Sequence, residues 1–256
     1  MSGLRAILWD VDGTLAETER EGHRVAFNEA FAALGLPWHW DVAHYGELLQ
    51  VAGGRERLLH DMAARPDAPA SAEARVELAG RVHQRKTAAY TAMVRAGRIP
   101  LRPGVRELLE ECRAAGLRLG IATTTTRANV EALLEATLGA GWFEVTVTGE
   151  DTARKKPDPA VYRQALAALR LAPAEALAVE DSPDGVRAAR GACLPVIVTD
   201  SAYFAGAALE GAAARGPGFD NRMGWLPVPV PPGAGPVRLD DLRRWWAPAS
   251  PSSSTE

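Results

Sequence analysis

Asp10 and Asp12 sit two residues apart at the end of a short apolar run, and they are the first residues whose type and spacing suggest chemistry. On an extended chain, side chains at i and i+2 point to the same side, so both carboxylates face one place. Gly13 follows and permits a sharp exit. Paired acids at a buried strand end are costly unless something cationic neutralises them. A hard divalent cation does this, and Mg2+ takes one or two carboxylates together with substrate phosphate. A second pair, Glu180-Asp181, ends another apolar run and precedes Ser182-Pro183-Asp184-Gly185, which alone reads equally as a helix start. Four carboxylates gathered without a cation would repel one another. Lys155-Lys156-Pro157 adds compact positive charge in front of a rigid proline, suited to a phosphoryl oxygen or an aspartate nucleophile. The one other lysine in the chain is Lys86. The run Thr123-Thr124-Thr125-Thr126 offers hydroxyls and N–H groups for a phosphate, although by itself it reads as a β-branched strand end with a helix cap.

These residues need elements to position them. Apolar runs over residues 6–11, 117–123, 144–148, 176–180 and 195–199 read as buried strands. Helical stripes separate them, among them Val105, Leu108, Leu109 and Cys112, then Val130, Leu133, Leu134 and Leu138. The alternation predicts an α/β fold, a Rossmann-like parallel sheet covered on both faces, with reactive residues at the carboxyl ends of strands. Residues 17–98 carry no strand signal but several helical apolar faces, one being Phe27, Ala30, Phe31 and Leu34. They read as an inserted helical cap that closes at Gly97-Arg98-Ile99-Pro100, leaving a core of residues 1–16 plus 99–247. The Pro- and Gly-broken stretch after Ser201 ends in one short helix that docks through Trp245 and Trp246, and residues 248–256 read as a disordered tail. Trp38, Trp40 and Cys112 read as core, and His39, His44, His60 and His83 have no metal-like spacing.

Composition narrows the function classes. The 256 residues are 47% hydrophobic and 24% charged, the balance of a globular chain. A formal net charge of −3 gives no basic excess for nucleic acid or an anionic membrane. No apolar run reaches the ~18 residues of a membrane span. Two cysteines, Cys112 and Cys193, cannot build a disulfide scaffold, and the first apolar stretch reads as neither a signal nor a transit peptide. The expectation is a cytoplasmic monomer with a small-molecule partner.

The ordered set Asp10-x-Asp12-Gly13-Thr14, Thr123, Lys156-Pro157 and Glu180-Asp181-Ser182 resembles the haloacid dehalogenase superfamily of phosphatases and phosphomutases. The resemblance implies that Asp10 attacks phosphorus to form an aspartyl-phosphate, and that Asp12 serves as general acid, then base. It implies Mg2+ held by Asp10, the Asp12 backbone carbonyl and Asp181, with Glu180 assisting, while Thr123 and Lys156 contact the transferring phosphoryl group. The stretch Ala16-Glu17-Thr18-Glu19, the later Ala26-Phe27-Asn28, the run Gly53-Gly54-Arg55-Glu56-Arg57 and the tail Leu242-Arg243-Arg244-Trp245 are similar to the CbbY-type branch, related in fold to β-phosphoglucomutase. That branch removes the 1-phosphate of xylulose-1,5-bisphosphate, a Rubisco inhibitor, as a service to the Calvin cycle. By position, Glu19, Tyr45, Gly53, Gly54, Arg55, Glu56 and Arg57 would meet the sugar phosphate from the cap, and Thr124, Arg127 and Asn129 from the core. The glycine–arginine run reads equally as an anion site and as a helix cap with solvated arginines. A β-phosphoglucomutase-type phosphomutase is the alternative activity, and a non-catalytic sugar-phosphate-binding protein the alternative class. The presence of Asp10, Asp12 and Lys156 argues against the last. Two departures from the family pattern are an extra residue between Thr18 and His23, and Cys193 where glycine is usual.

Overall fold

The computed structural model describes residues 3–247. Strand β1 (Ala6–Trp9) is followed by a π-helical turn (Glu19–His23) and helices α1 (Arg24–Ala33), α2 (Val42–Leu48), α3 (Gly54–Ala64) and α4 (Ala72–Arg95). Then come α5 (Val105–Ala114), β2 (Arg118–Ala122), α6 (Arg127–Thr137), β3 (Val145–Val147) and α7 (Ala160–Leu169). The chain continues through β4 (Ala176–Glu180), α8 (Pro183–Gly191), β5 (Val196–Thr199), β6 (Ala214–Gly216) and α9 (Leu239–Trp246). The described strands form one six-stranded sheet in the order β3-β2-β1-β4-β5-β6, with every pairing parallel.

β1 lies at the centre and is buried on both faces. Ile7 and Trp9 enter one apolar cluster with α5, α6 and α9, while Ala6 and Leu8 enter a second with α7 and α8. This is the period-2 alternation of a strand covered on both sides. The chain runs from β1 to β2 on one side and later to β4 on the other. The strand order therefore reverses at β1, and the crevice outside the carboxyl ends of such strands is where an open parallel sheet binds ligands.

The helices between β1 and α5 stay out of the sheet and build a third cluster of their own, centred on Phe27, Phe31, Trp38, Trp40, Tyr45, Leu58 and Val82. Trp38 and Trp40 pack edge-on against Phe31, so both tryptophans are core. The two connections to this helical insertion are pinned together. Ala16 pairs antiparallel with Leu101, and Arg102 donates to the carbonyls of Gly13, Asp200 (2.5 Å) and Pro217 (3.0 Å).

The sequence reading missed β6. Ala214, Arg215 and Gly216 show no apolar run, and β6 is held by backbone pairing to β5 and by Leu226, which exchanges hydrogen bonds with Arg215. A side chain on Gly216 would meet the Trp225 indole at 2.2 Å. Trp225 stacks on Trp245 with ring centres 4.6 Å apart, which docks α9. Cys193 has φ 61°, the left-handed conformation that favours glycine and follows a helix end. The proposed tail of residues 248–256 lies outside the described residues.

Candidate active site

β1 delivers Asp10 to the crevice, and the chain then turns back at Gly13, whose φ of +87° suits glycine. The turn is also crowded: a Cβ on Gly13 would lie 2.1 Å from Asp181 Oδ2. That close approach brings the ends of β1 and β4 together. Asp10, Glu180 and Asp181 each offer an oxygen within 4.8 Å of the others, and all three are buried. Lys156 Nζ donates to Asp10 Oδ1 and Glu180 Oε1, each at 2.6 Å, and Tyr162 OH donates to Glu180 Oε1 at 2.5 Å. On α8, Gly185 leaves room for that carboxylate, since its Cβ would lie 1.9 Å from Glu180 Oε2.

The charge balance is uneven. Burial, together with Glu180 and Asp12, pushes Asp10 up to about 7 although Lys156 pulls the other way. Burial beside Asp10 and Glu180 raises Asp181 well above the carboxylate range. Burial works against the charge of Lys156, but Asp10 and Glu180 raise its pKa above the ordinary lysine value. One ammonium thus faces three carboxylates, a donor set of hard oxygens with surplus negative charge, which fits a divalent cation such as Mg2+.

Asp12 lies outside that triad. Its Oδ1 accepts from Thr18 Oγ1 at 2.5 Å and from His23 Nε2 at 3.2 Å, and Lys86 Nζ lies 2.9 Å from His23 Nδ1. An ammonium can only donate, so Nδ1 is the acceptor and Nε2 carries the proton toward Asp12. Burial opposes ionisation of Asp12, but His23, Thr18 and Lys86 hold it at about 2. Thr18, His23 and Lys86 all belong to the inserted segment; sequence reasoning noted the stretches that hold Thr18 and His23 as cap features but tied none of the three to Asp12. Lys86 carried a signal: it occupies a buried position on the Val82, Lys86, Tyr90 stripe of α4, where an apolar residue is expected. Tyr162, on the buried face of α7, gave no signal apart from core patterning.

The segment between Thr18 and His23 winds as the π-helical turn, in which Arg24 N–H bonds the carbonyl of Glu19 five residues back. Glu19 and His23 consequently both line the cavity. That cavity, about 800 Å3, lies between the strand ends and the inserted helices. Asp10, Asp12, Thr123, Thr124, Lys156 and Asp181 line it from the sheet side, and Gly53, Gly54, Arg55, Glu56, Arg57 and Lys86 from the other. All three lysines of this arginine-rich chain therefore face one cavity.

The remaining residues singled out from sequence divide. Arg57 is buried and committed, donating to Leu48 O at 3.1 Å and Tyr45 OH at 2.8 Å. Tyr45 stands behind the wall and donates to Glu19 Oε2 at 2.5 Å. Arg55 is exposed at the N-terminus of α3, beside Gly53 and Gly54, and its guanidinium is open to a ligand. Glu56 pairs with Lys155 at 2.9 Å across the cleft. Asn129 lines the cavity with a buried, unpartnered Oδ1. Arg127 turns away from it: its guanidinium bonds Asp151 Oδ2 at 2.7 Å and Thr146 O at 3.3 Å. No local pattern announces this, because Glu150 and Asp151 reach Arg127 only through the loop after β3.

A buried acid triad at the switch point of a parallel sheet, with one lysine bridging it and a helical insertion over it, is a site for phosphoryl chemistry. A match to the haloacid dehalogenase-like hydrolases spans residues 4–192, and the chain belongs to that family; it is an enzyme of the phosphatase kind. Within the family it groups with the CbbY proteins. It is 45% identical to plasmid-encoded CbbY of Cupriavidus necator, over 94% of this chain and 96% of that one. It is 48% identical to CbbY of Rhodobacter capsulatus over 79% of this chain and 88% of that one. The crystal structure of CbbY from Rhodobacter sphaeroides in complex with phosphate matches with a TM-score of 0.76 and 44% identity, over 83% of this chain and 92% of that one. A mutant of that protein in complex with xylulose-(1,5)bisphosphate matches with a TM-score of 0.75 over 82% and 92%.

Proposed function

We propose that this enzyme is a cytoplasmic, Mg2+-dependent phosphatase that removes the 1-phosphate of xylulose-1,5-bisphosphate, a Rubisco inhibitor, through an aspartyl-phosphate. Residues 17–98 act as its cap and residues 1–16 and 99–247 as its core. The observation that carries this reading is a cavity where Asp10 with Lys156 on one wall meets the open Arg55 and its glycines on the other. Such a cavity offers cationic partners to both ends of a bisphosphate. The likeness to a CbbY with xylulose-(1,5)bisphosphate bound supports the choice of sugar.

In this reading a carboxylate oxygen of Asp10 attacks phosphorus, and the phosphorus–oxygen bond to the sugar breaks. Lys156 holds the nucleophile and offsets charge on the phosphoryl oxygens, while Thr123 and Thr124 hydrogen-bond them. Asp12 gives its proton to the departing sugar oxygen, then takes one from the water that attacks the aspartyl-phosphate, which regenerates Asp10. His23, held by Lys86, fixes the orientation of Asp12. Asp12 is ionised in the free site, and the added anionic charge of a bound bisphosphate favours its protonation. Asp10 and Asp181, with Glu180 and the Asp12 carbonyl, would hold Mg2+, which supplies charge neutralisation between nucleophile and phosphate. The unpartnered Asn129 Oδ1 accepts from a sugar hydroxyl, and Glu19 faces the sugar from the cap.

The test is a phosphate-release screen over mono- and bisphosphorylated sugars, with Mg2+ and with a chelator. The reading expects steady release from xylulose-1,5-bisphosphate in Mg2+ alone and no isomerised product. Conversion of β-glucose 1-phosphate to glucose 6-phosphate would establish the phosphomutase instead.

A further inference from the structure

Four consecutive residues after β5 touch four different parts of the machinery. Ser201 is buried against the site, with Asp181 as its hydrogen-bonding neighbour and its Cβ 3.1 Å from where a Cβ on Gly13 would stand. The Ala202 N–H donates to Glu17 Oε2 at 3.2 Å, in the first connection to the helical insertion. Tyr203 leaves the core altogether and packs into the apolar cluster of the inserted helices, 5.8 Å from the Tyr45 ring. Phe204 lines the cavity. Among the described residues Tyr203 is the one residue outside the insertion that joins that cluster.

Gly46 carries the mark of this contact. It lies inside α2, where glycine is a poor helix former. A Cβ there would meet Tyr203 Cδ1 at 3.0 Å, and its ring continues 3.2 Å away. Its neighbour Tyr45 holds Glu19 and Arg57, so the Tyr203 ring backs the residues that face the substrate. The Tyr203 hydroxyl is buried without a partner, which leaves ring packing as the contact that holds it.

We infer that Tyr203 is a positioning residue for cap closure: the loop of residues 201–204 seats α2 and its Glu19–Tyr45–Arg57 cage on the core and ties that seating to the Asp181 end of the site. The inference deepens the sugar-phosphate reading and rests on it for its kinetic test. A substrate that needs the cage depends on this seat, and a small aryl phosphate does not. The seat also restricts the size of the accepted sugar, because Phe204 is carried on the same loop.

The test uses the full chain and three variants: Tyr203→Ala, Gly46→Leu and the double variant. Kinetics are read on whichever sugar phosphate the phosphate-release screen ranks first and on p-nitrophenyl phosphate. Gly46→Leu puts bulk where the ring lies, and Tyr203→Ala makes room for it. Each single variant should raise KM for the sugar phosphate about tenfold or more, with p-nitrophenyl phosphate turnover within about twofold of the parent. The double variant should recover to within about threefold, a strong non-additivity expected only of side chains in contact. Amide hydrogen exchange of the substrate-free proteins reads the seating without any substrate: Tyr203→Ala should speed exchange in α2 and leave the β1 and β4 amides unchanged. Additive single effects, equal losses on both substrates, or unaltered exchange in α2 would overturn the inference. Absence of any sugar-phosphate turnover in the parent would overturn the proposed substrate, while the exchange measurement would still decide the seating.

Discussion

Lys86→Met keeps the length and most of the volume of a side chain that is buried between the Phe27 and Tyr90 rings, each centred 5.3 Å from Nζ. Burial lowers Lys86 from 10.5 to about 8, despite the attraction of Glu19 and Asp12. The folded protein therefore pays to keep this lysine charged at neutral pH. At ~1.4 kcal/mol per pH unit the penalty is about 3 kcal/mol. Between pH 8 and 10.5 the unfolded chain binds the proton and the folded chain does not, so stability rises with pH across that window. Methionine removes the penalty but leaves His23 Nδ1 without its donor, a loss of about 1–2 kcal/mol. The variant should be about 1–2 kcal/mol more stable than the parent at pH 7, with the difference shrinking and then reversing as pH rises toward 10.5. Urea unfolding of both proteins in chelator at pH 7, 8, 9 and 10 measures this. Turnover should move the other way: kcat falls about 10- to 100-fold because Asp12 loses its oriented partner, with little change in KM. A variant less stable than the parent at pH 7, by a margin independent of pH, would refute the argument that Lys86 is held charged at a cost for the sake of Asp12.

Other outcomes follow from the acid cluster and the cleft. Asp10 sits at about 7 in the metal-free site, so between pH 4 and 7 the folded state keeps a proton that the unfolded chain has lost. Metal-free protein should lose stability over that range, and Mg2+ affinity should rise with it, which thermal unfolding at pH 5 and 8 with and without the ion will show. Gly13→Ala forces a Cβ against Asp181 Oδ2 at a left-handed φ. It should lower kcat/KM about 100-fold or more by parting Asp10 from Asp181, and isothermal titration should show Mg2+ binding weakened with it. Glu56→Gln and Lys155→Met each break the same exposed ion pair, so each should cost less than about 1 kcal/mol of stability, and their double variant should be no worse than either in KM.

Much of the site was legible because acids stand out at the ends of apolar runs. Asp10, Glu180 and Asp181 close strands whose other residues are uniformly buried, and Lys156 lies just before α7, the helix that follows β3. What was not legible came from long-range packing. The His23–Lys86 contact joins residues 63 positions apart on two helices, and their crossing has no trace in local spacing. Tyr162 reads as one more apolar position on α7 until β4 brings Glu180 beneath it. Arg127 looked like a cavity residue because it follows the threonine run, but the acids of the β3 loop claim its guanidinium. The reach of Tyr203 from the core into the helical insertion depends on the shape of one loop, and no periodicity announces it.

Asp10→Asn tests the central claim most directly. The substitution keeps the shape of the nucleophile and removes its charge. Acid-quenched turnover of xylulose-1,5-bisphosphate labelled at the 1-phosphate should leave label on the peptide that holds Asp10 in the parent. In the variant, label should be absent and turnover should fall by at least about a thousandfold. Turnover at the parent rate by Asp10→Asn would contradict the account.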